Sequence, residues 1–164
     1  MFGSNLSGFH GAGSAGYASF GEWGNNWREH RYDKKPNGWL GNLNIKGLSE
    51  GFQEGKIGKS YAIPTVKKPG YSKSIPLKNI RKSISRLYDF AKKNSHLTFL
   101  ISGTTDRENL NGYSHREIIK CYIEAGPIPE NISFSESYLL LIQDEQKNKK
   151  KKSIHNSEQL VFRW

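Results

Sequence analysis

Cysteine is nearly absent: Cys121 stands alone among 164 residues. That excludes an internal disulfide framework and any zinc site built on cysteine. Apolar runs are short, and no window approaches the roughly 18 uncharged apolar residues that a transmembrane helix needs. The opening MFGSNLSGFHGAGSAGYASF has neither a basic leader nor a continuous apolar stretch, so it does not read as a signal peptide. Hydrophobic residues make up only 35%, yet aromatics reach 12%, too many for a chain of uniformly charged disorder. The length fits one domain of ordinary size. A single-domain cytoplasmic protein is the expectation.

Acidic side chains are in deficit, 15 against 25 Lys and Arg, for a formal charge of +10. Residues 1–50 are nearly balanced, with five basic and four acidic groups; residues 51–140 carry fourteen and eight, and residues 141–164 six and three. Much of the last excess is the run Lys149-Lys150-Lys151-Lys152. Such a block repels itself and reads as a solvated, flexible tail over 143–164, although it could also hold RNA, DNA or an acidic partner. The remaining excess lies on a helix face and could steer any anion, a nucleotide phosphate included.

Glycine is scarce after residue 58, because thirteen of the seventeen glycines fall within the first 58 residues. The N-terminal third therefore reads as loops and the rest as regular elements. Gly11–Gly21 is compatible with a short helix begun by a glycine turn. The stretch 24–58 has no sustained period, but Trp27, Trp39 and Phe52 recur in it, just after Trp23. It reads as an insertion that folds back as a cover or a small added substructure.

Beyond residue 58 the pattern sharpens. Ser60–Thr65 reads as a strand with Pro64 near its end. Pro76 opens a helix to about Asn94, with Leu77, Ile80, Ile84, Leu87, Tyr88 and Ala91 on one stripe and Lys78, Arg81, Lys82, Lys92 and Lys93 opposite. Leu97–Ile101 is a continuous apolar run, as for a strand covered on both sides. Residues 102–113 form a polar loop. Ser114 and Glu117 make a capping box for a helix to about Ala125, and Ser137–Ile142 reads as a last strand. Alternating strands and helices predict an α/β domain, with a central mixed sheet flanked by helices. In such sheets ligands sit beyond the carboxyl ends of the strands.

The strongest chemical signal lies at the start: Gly3-Ser4-Asn5, Gly8, then His10-Gly11-Ala12-Gly13-Ser14-Ala15. Small residues let backbone amides approach a ligand closely, and a helix start adds positive dipole, a natural seat for phosphate. The segment lacks the Gly-Lys-Ser/Thr of a P-loop, and too few residues precede it for a Rossmann strand. A glycine-rich turn without a ligand explains it equally well.

FGSNLSGFHGAGSAGYA resembles the opening of a family of small, mostly uncharacterised proteins of phages and bacterial genomes. Their FGSN…HGAG motif is followed by one like Gly58-Lys59-Ser60-Tyr61-Ala62-Ile63-Pro64-Thr65. The resemblance spans roughly residues 2–125 and is similar in turn to macro domains, three-layer α/β folds that bind ADP-ribose and related nucleotides. It implies that Asn5 ends an early strand and that His10, Gly11, Ala12, Gly13, Ser14 and Ala15 meet a diphosphate. Ser102, Gly103, Thr104 and Thr105 would close a second loop over it. Tyr61, Thr65 and Tyr113 are further ligand-binding candidates, Tyr61 or Tyr113 as the cover over a ring. The second loop departs from relatives, which often carry Gly-Cys-Gly there.

For catalysis the candidates are His10, as a general base or a hydrogen-bonding partner of a phosphate, and Asp106, which could orient a water for glycosidic hydrolysis; Glu108 is a third candidate. Both principal groups could equally serve only their own loops. His30, His96, His115 and His155 lack ligand spacing, so no metal site is expected, and no cofactor is implied. Cys121 reads as inert core. The leading expectation is a binder of an ADP-ribose-like signalling nucleotide, in a phage one that sequesters or degrades host immune signals in the host cytoplasm. The alternatives are a basic nucleic-acid-binding accessory protein, an ADP-ribosyl hydrolase, or an assembly protein that oligomerises through its tryptophans.

Overall fold

The computed structural model describes residues 1–8, 15, 49–54, 58–101, 103 and 105–161, with side chains through Lys149. The helix expected over 11–21, apart from Ala15, and most of the 24–58 insertion lie outside the described residues.

Eight elements are described: β1 (Phe2–Asn5), β2 (Gly51–Glu54), β3 (Lys59–Val66), α1 (Leu77–Lys93), β4 (Phe99–Ile101), α2 (His115–Glu124), β5 (Ile132–Phe134) and α3 (Glu136–Val161). They make a mixed α/β architecture with two small sheets. In the first the order is β1-β3-β2, β1 running parallel to β3 and β2 antiparallel to it. In the second, β4 and β5 pair in parallel. The Met1 ammonium donates to Leu100 O at 2.8 Å and ties the two sheets together.

Strand β3 is central and β-branched or aromatic where it must pack. Pro64 sits beyond the reach of β2, which pairs only with Lys59–Ala62. Its missing N–H coincides with a slip in the parallel ladder: Ser4 faces Pro64, but Asn5 faces Val66. The motif Gly3-Ser4-Asn5 is itself strand, where sequence reading left only Met1 and Phe2 ahead of the glycine-rich loop.

Helix α1 forms where its stripe predicts. Ile80, Ile84, Leu87, Tyr88 and Ala91 are all buried, and each large apolar side chain contributes about 1.5–3 kcal/mol by leaving water. Lys92 and Lys93 sit in its last turn, where cations suit the helix dipole. Asn131 Nδ2 donates to Ala91 O, Asn94 O and Leu97 O at 3.0, 3.2 and 2.9 Å. One carboxamide thus ties the end of α1 to the turn that leads into β4. Tyr88 Oη donates to Tyr122 O at 2.8 Å and pins α2 across α1.

Three expectations change. Ser137–Ile142 is not a strand; it opens α3. Tyr138, Ile142 and Glu145 are buried on one helical stripe, while Leu139 and Leu140 are 44% and 60% exposed. Arg116 on α2 holds that stripe, reaching Asp144 at 2.6 Å and Glu145 at 2.8 Å. The segment expected as a tail continues the same helix to Val161. Strand β4 is also not covered on both sides, since Leu100 is 56% exposed between buried Phe99 and Ile101. Its partner β5, Ile132–Phe134, carries the same in-out-in pattern.

Candidate functional site

The carboxyl ends of the parallel strands β1 and β3 lie together, and β1 ends on Asn5. Asn5 is buried, and its Oδ1 accepts the Ser7 hydroxyl at 2.7 Å. Gly8 N donates to Asn5 O at 3.1 Å, and Leu6 N to Val66 O at 3.2 Å. Gly8 has φ +72°, a left-handed turn that a side chain would strain. Asn5 therefore shapes the exit from β1, the point from which the glycine-rich segment departs. His10, Gly11, Ala12, Gly13 and Ser14 lie outside the described residues; Ala15 is helical.

Two residues of the second motif have separate structural roles. Thr65 Oγ1 donates to Ser4 O at 3.3 Å, and a Cβ on Gly3 would stand 3.3 Å from that hydroxyl oxygen. Thr65 thus closes against β1 at the strand ends. Tyr61, expected over a ligand ring, is core instead: its ring lies 5.5 Å from Phe90 and 6.4 Å from Phe99. Burial pushes its phenol above the ordinary range.

The expected second loop is anchored to α2 and α3. Ser135 Oγ donates to Gly103 O at 2.6 Å, and any Cβ on Gly103 would collide with the Tyr138 ring. Close packing accounts for that glycine. Ser102 and Thr104 lie outside the described residues, while Thr105 and Asp106 are exposed. Tyr113 Oη donates to Ile75 O at 2.9 Å, and Lys73 Nζ lies 5.5 Å from its ring centroid. Tyr113 therefore braces the 67–76 turn against the loop.

His115 was passed over in the sequence for want of metal-ligand spacing, yet it is the loop's main anchor. Its Nε2 lies 2.6 Å from Arg107 O, and its Nδ1 3.2 Å from Tyr138 Oη. A carbonyl only accepts, so Nε2 donates to it. Position at a helix start beside a polar loop was the available signal. Among the described residues no three His, Cys, Asp or Glu side chains converge as a metal set. Nor, among them, is any helix long and apolar enough to cross a membrane.

At the same strand ends a cleft of about 290 Å³ opens between Leu6, Pro64, the 67–76 turn and α1. The α1 residues lining it, Asn79, Lys82, Ser83 and Arg86, follow helical spacing. Lys82 belongs to the basic helix face that the sequence offers for steering an anion. Arg86 is fixed by Glu50, with Nε at 2.8 Å from Oε1, and by Ser83 Oγ at 2.9 Å. Ser4 Oγ donates to Ser49 O, so the insertion rejoins the fold beside this cleft. No protein-family model, curated protein or solved structure matches the chain.

Proposed function

We propose that this protein binds an ADP-ribose-like nucleotide at the carboxyl edge of β1 and β3. The observation that carries the reading is Asn5, buried at the end of a strand parallel to β3, with the glycine-rich segment leaving from Gly8. Ligands of α/β sheets gather at such edges, and backbone amides in glycine-rich turns suit a diphosphate. Gly11–Ala15 holds phosphate in this reading, and Gly103–Thr105 closes from the other side in a macro-like three-layer arrangement. Asn5 orients the turn, while Thr65 packs the strand ends beneath it. In a phage such a protein would capture nucleotide signals of host defence in the cytoplasm.

Binding is favoured over hydrolysis. Asp106 is exposed, and His115, the described histidine nearest it in sequence, spends both ring nitrogens on structure. Calorimetry with ADP-ribose, NAD and cyclic ADP-ribose, together with chromatography of the recovered ligand, tests the reading. Saturable binding of intact ADP-ribose is expected. Absence of heat with all three would refute it, and release of cleaved product would replace it with an ADP-ribosyl hydrolase.

A further inference from the structure

The cleft between the strand ends and α1 has a charge balance and a wall chemistry that point to a ligand class. Its rim carries Lys67, Lys82 and Arg86 with a single acid, Glu50. Arg86 and Glu50 neutralise each other through their ion pair. Among the described residues neither lysine ammonium has an acidic partner. Two uncompensated positive charges thus face one cavity. The first turn of α1 adds to this field, having no acidic residue and no side-chain cap.

The apolar part of the lining is made by Leu6, Pro64, Ile75 and Pro76. Leu6 is half exposed there, unlike the buried Phe2 and Asn5 before it. At about 290 Å³ the cavity lies at the lower end of small-molecule sites. A bare carboxylate would match only one lysine and leave the apolar wall wet. A phosphate monoester is close to a dianion at neutral pH, with a second pKa of about 6. It matches both lysines and brings a compact ring to the wall.

We propose that this cleft binds a phosphate monoester, its phosphate between Lys67 and Lys82 and its sugar or ring against Leu6, Pro64 and Pro76. The Glu50–Arg86 pair sets the far limit of the site, because Glu50 repels the phosphate while Arg86 is engaged. The site stands whether or not ADP-ribose is the ligand of the glycine-rich loop, since none of its lining residues belongs to 9–15.

Amide-resolved NMR of the full chain tests it, with ribose 5-phosphate, inorganic phosphate and ribose titrated separately. Ribose 5-phosphate should shift the amides of Ser74, Leu77, Lys78 and Asn79 saturably. Inorganic phosphate should shift the same amides more weakly, and ribose should not. Lys67→Ala with Lys82→Ala should weaken ribose 5-phosphate about tenfold or more, the loss of charge-assisted hydrogen bonds. Glu50→Gln should tighten it. Both lysines are exposed, so these variants keep the fold, and unchanged α1 amides without ligand confirm it. No saturable shift, equal shifts with ribose, or undiminished affinity in the double lysine variant would each overturn the proposal. Binding of ADP-ribose without any response to ribose 5-phosphate would also overturn it, leaving the glycine-loop reading intact.

Discussion

Cys121 shows how packing alone silences a reactive group. It lies buried on α2 with its Sγ donating to Leu77 O at 3.6 Å, and burial pushes the thiol up to about 11. The thiolate is the nucleophile, so both access and ionisation oppose reaction. A disulfide reagent at neutral pH should label Cys121 only as fast as the protein unfolds, with full reaction in denaturant. Rapid stoichiometric labelling of the native chain would contradict the packing of α2 on α1. Gly103 makes the complementary case, a residue defined by the room it leaves. Gly103→Ala should cost about 1–3 kcal/mol, because the new methyl overlaps the Tyr138 ring. Denaturant unfolding reads that loss, and an unchanged midpoint would mean the loop does not rest on α3 as described.

At the scale of elements, α2 depends on its first turn. Ser114 Oγ accepts from Glu117 N at 3.2 Å, and the Glu117 carboxylate accepts from Ser114 N at 2.8 Å. Ser114→Ala should cost about 1 kcal/mol. The backbone N–H of Ser114, then its hydroxyl, hold the Glu117 carboxyl below its ordinary range. A lowered folded pKa means this contribution is complete above the unfolded value and fades as pH falls through the folded one. The melting difference between wild type and Glu117→Gln should therefore shrink in acid. A gap that widens in acid would contradict the box.

Elements announced by caps and periodicity were legible in the sequence: α1 from Pro76 and its stripe, α2 from Ser114 and Glu117, β3 from its β-rich run. The errors have physical causes. Tyr138–Ile142 is a short apolar run, which periodicity alone cannot assign to strand or helix. Its helical period closes only through Glu145, a buried acid whose partners, Arg116 and Lys120, lie on α2. Three-residue β5 is too short to show a period. Asn131 acts through backbone carbonyls brought near only by folding, so no local pattern marks it. The cleft was equally hidden, since Lys67 and Lys82 share it with Leu6 only once β1 pairs with β3.

At the scale of the whole molecule, parallel pairing of β1 with β3 brings together the features of both proposals. It sets Asn5 and the departing glycine-rich segment beside the end of β3, and it brings Leu6 to the cleft in front of α1. The helices supply the rigid side of that edge: α1 is buried along one stripe, and α2 packs upon it through Tyr88 and Tyr122. The claim most exposed to test is that the glycine-rich segment holds the phosphates of a nucleotide. Valine at Gly11 keeps a backbone from approaching a ligand closely. Calorimetric titration of ADP-ribose into wild type and into Gly11→Val, with matched melting curves, measures this directly. The account predicts saturable binding by the wild type and at least a tenfold loss, about 1.4 kcal/mol, in a variant that still melts cooperatively. Equal affinity in the two folded proteins, or no binding by the wild type, would contradict it.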